Sequence, residues 1–171
     1  DDTSKSNFYE DFSGTKENYI VDDANAKITD GKLYWNTGLS GRTTFKWNIP
    51  MEDVTIEFDG YTENNGFGVH WLNAENLGYS ATWGGWFNTK SGTHFGAEGQ
   101  NIELVEGKVF TVKKWHHYKI IRSGNELTGF CDDNLVFQRT INQKFKGPAT
   151  LWFSSWRANF GLDNVKVYPS E

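Results

Sequence analysis

Apolar and polar residues alternate with a period of two along most of this sequence, which is the pattern of β-strands with one buried face. The clearest segment is 54–61, where Val54, Ile56 and Phe58 would face one side and Thr55, Glu57, Asp59 and Tyr61 the other. The three-to-four spacing of an amphipathic helix is almost absent. The alternation therefore predicts an all-β protein, and its many short strands favour a two-sheet antiparallel sandwich or jelly roll.

Turn residues divide this pattern into short strands. Asp30-Gly31, Glu106-Gly107 and Ser123-Gly124-Asn125 suit tight hairpin turns. Between such turns we predict strands at 8–12, 32–36, 41–48, 54–61, 66–72, 78–83, 93–97, 101–105, 109–113, 115–122, 126–132, 134–139, 149–155 and 160–168. The stretch 84–100, rich in glycine and polar residues, also fits a long surface loop. No repeat or linker interrupts the pattern, so residues 1–171 are predicted to form one domain.

Composition excludes several classes of protein. The formal net charge is −5 and no basic cluster is present, which argues against a nucleic-acid partner. No apolar run approaches the roughly 18 residues of a membrane-spanning helix. Cys131 is the only cysteine, so an internal disulfide is impossible. The polar N-terminus resembles a trimmed mature end, from which we predict a secreted or cell-surface protein that acts as a monomer or as a module of a larger chain.

Three motifs add a resemblance to a known family. They are Phe8-Tyr9-Glu10-Asp11-Phe12-Ser13, Trp115-His116-His117-Tyr118-Lys119-Ile120 and Phe160-Gly161-Leu162-Asp163-Asn164-Val165-Lys166-Val167. In this order they resemble the concanavalin A-like lectin/glucanase superfamily, whose laminin-G-like jelly rolls occur in carbohydrate-binding modules and glycan-active enzymes. The resemblance implies a two-sheet antiparallel jelly roll with a concave face, and it places Trp115 in the core. Core and turn residues make up these motifs, so they do not name a sugar.

Aromatic residues make up 16% of the chain, including eight tryptophans, and they are concentrated between residues 67 and 87. Flat rings stack on the apolar C–H faces of sugars, while neighbouring polar groups bind the hydroxyls. We predict a saccharide site formed by the suitable residues of this stretch and one arginine: His70, Trp71, Tyr79, Trp83, Trp86 and Arg157. A core position for any one of these rings is equally consistent with the pattern.

Two places stand out among the tryptophans. Trp83-Gly84-Gly85-Trp86 is the best surface candidate, because two glycines form a turn between two rings. Trp152, Trp156 and Arg157 form a second candidate. The strand alternation places Trp152 on the same face as Ser154.

Acidic residues suggest two further sites. Glu57, Asp59 and Glu63 resemble the carboxylate strand of laminarinase-type glucanases, but Glu63 is four residues past Asp59, so the spacing of the catalytic set fails. We interpret Glu57 and Asp59 as part of a solvated strand face.

Glu10 and Asp163 each share a predicted strand face with apolar residues, where an unpaired carboxylate is costly. A structural calcium ion would satisfy both, and so would a turn cap or an ion pair with Lys or Arg for each carboxylate.

These features predict a non-catalytic carbohydrate-binding domain of an extracellular glycan-degrading system, with a poly- or oligosaccharide as its partner. The first alternative is a glycan-active enzyme on the same fold, either a glycoside hydrolase or a polysaccharide lyase. A lyase would need a base such as His70 or Tyr79 near an arginine such as Arg42 or Arg157. The second alternative is an adhesion or structural domain without a sugar site, because a fold does not specify a function.

Overall fold

The fold consists almost entirely of β-strands. A computed structural model describes residues 7–36, 40–157 and 159–170. The strands in these residues are β1 (Phe8–Glu10), β2 (Tyr19–Asp22), β3 (Lys27–Thr29), β4 (Lys32–Asn36), β5 (Ser40–Phe45), β6 (Val54–Thr62), β7 (Phe67–Leu72), β8 (Leu77–Gly84), β9 (Lys90–Ala97), β10 (Glu103–Glu106), β11 (Trp115–Ser123), β12 (Glu126–Cys131), β13 (Asn134–Thr140), β14 (Thr150–Trp156) and β15 (Asn159–Pro169). A four-residue helical turn, Gly85–Asn88, lies between β8 and β9. No helix in these ranges is long and apolar enough to cross a membrane.

The strands form two antiparallel sheets. The front sheet has seven strands in the order β10-β9-β8-β7-β14-β5-β2. The back sheet has eight, in the order β13-β12-β11-β6-β15-β4-β3, with β1 paired to β15. The first and last strands therefore lie side by side, with Phe8 opposite Val167. The predicted all-β architecture of two antiparallel sheets is confirmed.

Side chains from the inner faces of both sheets fill the space between them. Ile56 and Phe58 of β6 are fully buried, as the alternation in this strand predicts. The Phe58 ring meets Phe153 of the front sheet edge-on, with 4.9 Å between ring centroids. It also meets Phe67, another front-sheet residue, at 5.7 Å. The two sheets thus share one aromatic-rich core, and their outer faces are left for solvent or ligands.

Some segments differ from the sequence prediction. β2 and β3 were not expected; both are edge strands, and β3 is exposed at every position, so no alternation marks it. Residues 109–113 form no strand. The stretch 84–100 is not a long loop, because β9 pairs with β8 on one side and β10 on the other. Gly92 and Gly96 of β9 have no side chains, which hides its alternation.

Candidate functional site

Three of the rings predicted to bind sugar belong to the core. Trp71, Tyr79 and Trp83 are each 0% exposed. Trp71 and Tyr79 are direct cross-strand partners on the inner side of the front sheet, and Trp83 packs edge-on against Tyr118 of the back sheet at 5.2 Å. A ring enclosed on both faces cannot stack on a ligand, so the prediction for these three residues is wrong.

Tyr79 has a structural role inside the sandwich. Its hydroxyl oxygen accepts a hydrogen bond from Arg122 Nη2 at 3.1 Å, and its proton is within reach of Glu52 and of the Gln143 carbonyl. Burial, followed by the Glu52 carboxylate, raises the pKa of Tyr79 far above its ordinary value. The phenol is therefore inaccessible and hard to ionise, which excludes it as the base of a lyase.

The alternate residues of the same strands point outward, onto a surface that we term the front face. Direct cross-strand pairs place one residue from each of six adjacent strands in a single row across it: Ile20, Thr44, Trp152, His70, Ser80 and His94. These residues are far apart in the sequence. Strand register therefore builds this surface.

His70 lies at the centre of the row and is only 5% exposed. Its ring stacks on Trp152, with 3.7 Å between ring centroids and 8° between planes. Its Nδ1 lies 2.8 Å from Ser80 Oγ, and its Nε2 lies 3.1 Å from Ser154 Oγ. Burial above all lowers the pKa of His70 to about 3, so the ring is neutral at physiological pH. His70 thus covers one face of the Trp152 ring and offers little surface of its own.

Arg42 covers Trp152 from the opposite side. Its guanidinium carbon lies 4.3 Å from the Trp152 ring centroid, and His70 already occupies the other face of that ring. Arg42 is exposed and forms no ion pair with any residue that the structure describes. None of the described residues pairs with its charge, so its N–H groups can donate to a ligand. From the sequence, Arg42 is a candidate only as the partner of a lyase base, because nothing in the sequence places it beside Trp152.

Trp156 extends the same surface along β14. It shares a strand face with Trp152 and Ser154, as the alternation predicts, and it is partly exposed. A Cβ atom on Gly68 would lie 3.1 Å from the Trp156 ring and 2.7 Å from Ser154 Oγ. Glycine at this position therefore allows both side chains to lie close to β7.

Trp86 stands at the edge of the front face. Lys90 alternates with buried Ser91 and shares a face with Gly92, and its ammonium lies 5.6 Å from the Trp86 ring centroid. Trp86 is 56% exposed, and the neighbouring Phe87 is 61% exposed. Trp86 is thus the predicted tryptophan whose ring remains available to a ligand.

The turn that carries these two rings has an unusual backbone. Trp86, Phe87 and Asn88 have φ values of 50°, 56° and 63°, which is the left-handed region that residues with side chains rarely adopt. Buried Asn88 holds the turn: its Nδ2 donates to the Phe110 carbonyl at 2.5 Å, and its Oδ1 accepts from the Val109 amide at 2.8 Å. The hydrogen bonds of Asn88 therefore fix the backbone of the turn that carries the exposed Trp86 and Phe87 rings.

Asn65 links this turn to β14. Its Oδ1 accepts a hydrogen bond from the Phe87 amide at 3.0 Å, and its Nδ2 donates to the Trp156 carbonyl at 3.2 Å. Arg157 follows directly, with an exposed side chain and a φ of 51°. Its side chain therefore lies beside the site at the end of β14, outside the cross-strand row.

Glu10 and Asp163, the predicted calcium ligands, are not brought together. Glu10 pairs with Val165 on the inner side of the back sheet, and it accepts hydrogen bonds from the Phe12 amide at 2.6 Å and from Asn18 at 2.9 Å. Asp163 is opposite Asp59 on the outer side, because the ladder shifts register after Asp163. Its carboxylate forms an ion pair with Lys32 at 3.0 Å. The prediction that Glu10 and Asp163 share one site is therefore wrong, while the structural calcium ion itself stays a prediction.

Glu57 and Asp59 share the outer face of β6, as predicted. Both bind His117: Nε2 lies 2.9 Å from Glu57 and Nδ1 lies 2.9 Å from Asp59. Burial opposes the charged imidazolium, but the hydrogen bonds to Asp59 and Glu57 outweigh it, so the pKa of His117 is raised. Tyr168 also binds the Glu57 carboxylate. This arrangement is an ion-paired surface cluster rather than the freely solvated face that we expected.

Comparisons of sequence give no relative: no family model matches the chain, and no curated protein matches it. Comparisons of structure do. A carbohydrate-binding module, CBM66 from Bacillus subtilis, is similar with a TM-score of 0.66 at 17% identity, over 87% of this chain and 94% of that one. The carbohydrate recognition domain of Emp47p has a TM-score of 0.70 at 14% identity and full coverage of both chains.

A Bacillus licheniformis β-glucanase is similar as well, with a TM-score of 0.69 at 12% identity, over 96% of this chain and 98% of that one. The protein has the concanavalin A-like jelly-roll fold. This resemblance was predicted from the terminal motifs and is confirmed. At these identities the concanavalin A-like fold is what the similarity shows, and the chemistry must be argued from this chain's own residues.

Proposed function

We propose that this concanavalin A-like domain binds a saccharide on its front face without catalysing a reaction. The observation that carries the proposal is the stack of Arg42, Trp152 and His70 at the centre of that face. It fixes a cation with free donors on an open sheet surface, and partly exposed Trp156 lies on the same face of β14. Planar donors and aromatic rings at fixed positions are the groups that bind sugar hydroxyls and C–H faces.

The polar groups of the row form a surface of uncharged imidazoles and hydroxyls. His94 at one end is partly exposed, and burial, followed by Arg139, lowers the pKa of its imidazole. Thr44 and Thr150 lie beside Trp152 and reach solvent. A sugar lying across these strands would therefore meet hydroxyl, imidazole and guanidinium groups on one side and the Trp86 ring at the margin.

Strand carboxylates on the front face are too far apart for glycosidase chemistry. Among the described strand residues of this face, they are Asp22 in β2 and Glu106 in β10, which are the two edge strands. Six strand spacings of about 4.8 Å separate these edges by roughly 29 Å. Hydrolases place their two carboxyl groups about 5–9.5 Å apart. Among the described residues, Glu98 in the turn after β9 is the one carboxylate that lines the cleft beside Arg42 and Trp152. A lone carboxylate there, together with the wide separation of Asp22 and Glu106, favours binding over the alternative of a glycan-active enzyme on the same fold.

The cellular setting follows from the ligand. Many polysaccharides lie outside the cell, so we propose a secreted or cell-surface location and a role as a module of a glycan-degrading system. The structural similarity to CBM66, a carbohydrate-binding module, supports this proposal.

A glycan array with the purified protein tests the proposal, followed by isothermal titration with the best soluble ligand. We expect Arg42→Met to weaken binding about tenfold or more, which corresponds to ~1.4 kcal/mol, because the stacked donors are lost. Lys46→Met, an exposed cation just beyond the end of β5, is the matched control and should bind as the wild type does.

Two outcomes would overturn the proposal. Equal affinity of Arg42→Met and wild type would remove the site from the front face. Glycanase activity that is present in the wild type and absent in Glu57→Ala would favour the enzyme instead.

A further inference from the structure

An aromatic row crosses the opposite side of the molecule, on the outer face of the back sheet. Trp115 of β11 is opposite Tyr61 of β6, Tyr61 is opposite Gly161 of β15, and Gly161 is opposite Tyr34 of β4. Four adjacent strands thus contribute three rings and one glycine. The row spans three strand spacings, about 14 Å.

Gly161 allows the rings to meet. A Cβ atom at this position would lie 2.9 Å from both the Trp115 and the Tyr34 rings, so these side chains lean over the glycine from opposite sides. Ring centroids are 5.7 Å apart for Tyr61 and Trp115, 5.9 Å for Tyr34 and Trp115, and 6.2 Å for Tyr34 and Tyr61. The three rings form one contiguous cluster.

This cluster faces outward and remains partly exposed at all three rings. The resemblance to the superfamily placed Trp115 in the core, and that expectation is wrong, because Trp115 alternates with buried His116 on the outer side of β11. When a ligand covers apolar rings that are in contact with water, the free energy of the system falls, so such rings favour binding.

A cleft of about 570 Å³ opens beside the rings and provides polar partners. Tyr34, Tyr61 and Trp35 line it on the aromatic side, and Asn25, Lys27, Thr29, Glu63 and Asn159 line the rest. Asn159 Nδ2 donates to Glu63 Oε2 at 2.8 Å, which fixes both side chains at the margin. The volume lies within the range of small-ligand sites, about 300–1,000 Å³.

We propose that this aromatic row and cleft form a second saccharide site that takes an uncharged oligosaccharide. The inference rests on the proposed function only for its ligand class. One cation, Lys27, and one carboxylate, Glu63, line the cleft, so its charges balance. On the other side of Trp115, Asp163 pairs with Lys32, and Asp59 pairs with His117. The Lys32 ammonium lies 5.4 Å from the Trp115 ring centroid, so neither side of the row carries an unpaired excess of charge. Two sites on opposite sheets would let one domain bridge two glycan chains or gain avidity on a dense glycan surface.

The test uses ¹⁵N-labelled protein and three neutral probes: cellohexaose, laminarihexaose and mannohexaose. The indole N–H signals, assigned with single Trp→Phe variants, report the two surfaces separately. We expect the Trp115 signal to shift with at least one probe. The size of this shift should be the same in Arg42→Met as in the wild type. Tyr61→Leu retains an apolar side chain but removes the ring face, and it should weaken the Trp115 response about tenfold, with the melting temperature as a control for folding.

The outcomes separate this inference from the front-face proposal. Shifts confined to Trp152, Trp156 or Trp86 would overturn the second site and leave the front face standing. A Trp115 response without any front-face response would support the second site and count against the front face. A Trp115 signal unmoved by all three probes, or a Tyr61→Leu variant that binds as the wild type does, overturns the second site.

Discussion

The rings of His70 and Trp152 lie parallel at 3.7 Å, on neighbouring strands of the front sheet. His70 is held by two serine hydroxyls, and Trp152 carries Arg42 on its other side. A buried, neutral histidine therefore sets the position of a solvent-exposed cation two side chains away. The first prediction follows from this chain of contacts.

Replacing His70 should affect ligand binding through Trp152. His70→Ala removes the support beneath the indole, so we expect saccharide affinity to fall about tenfold, or ~1.4 kcal/mol. His70→Phe retains a stacking ring but loses the serine hydrogen bonds, and it should bind within about threefold of wild type while losing ~1–3 kcal/mol of stability. Isothermal titration and urea denaturation measure the two effects. Equal affinities for both variants would show that the stack does not position Arg42.

Trp83 and Trp86 should respond oppositely to substitution although only two glycines separate them. Trp83 is fully buried, so Trp83→Ala should cost about 3–5 kcal/mol of unfolding free energy. Trp86 is exposed, so Trp86→Ala should change stability by no more than about 0.5 kcal/mol. Chemical denaturation followed by circular dichroism gives both values. Similar costs for the two variants would contradict the placement of these rings on opposite sides of the sheet.

Asn88 should control the order of the turn that presents Trp86. Asn88→Ala loses the bonds to the Val109 and Phe110 backbone and places alanine at a φ of 63°. We expect a loss of about 1–3 kcal/mol and faster motion of the Trp86 indole in ¹⁵N relaxation. Asn88→Gly tolerates the backbone but also loses the bonds, so it should be more stable than Asn88→Ala. The reverse order would show that the left-handed backbone carries no strain.

His117 should contribute stability that depends on pH. Its pKa is raised in the folded state, so its contribution is fully present below its unfolded pKa and disappears as the pH rises through the folded value. His117→Gln should therefore destabilise the protein more at pH 5.5 than at pH 8.5. The site is 43% exposed, so the difference should stay below about 1 kcal/mol. Subtracting wild-type stability at each pH cancels the titration of the other histidines; a larger effect at pH 8.5 would contradict the ion pairs.

Replacing Arg122 alone should lower the free energy of unfolding strongly. It is fully buried, and its Nε donates to Glu52 at 2.9 Å. Arg122→Met leaves the Glu52 carboxylate without this partner, at an expected cost of about 3–5 kcal/mol. The double variant Arg122→Met/Glu52→Gln removes the unpaired charge and should recover part of that loss in urea denaturation. Additive costs would show that the two groups do not stabilise each other.

The sequence by itself determined the two-sheet architecture. The alternation along 54–61 identified the buried and exposed sides of β6, since a strand with one polar face has a single way to be buried. It also placed Trp152 with Ser154 on one side of β14. The terminal motifs, in turn, indicated the concanavalin A-like fold, and the pairing of β1 with β15 follows from it.

Only the tertiary structure decided which rings meet solvent. Adjacent residues of a strand face opposite sides, so His70 and Trp71 could not both belong to one surface. Trp71 shares its side of β7 with Phe67 and Val69, and the opposite sheet covers that side, which leaves His70 on the front face. Asn164, with a φ of 48°, shifts the phase of β15 and separates Asp163 from Glu10. Arg42, Trp152 and His70, like Tyr34, Tyr61 and Trp115, are joined only by strand order. Periodicity reports two sides of one strand, whereas the neighbouring strands and the opposite sheet decide what each side contacts.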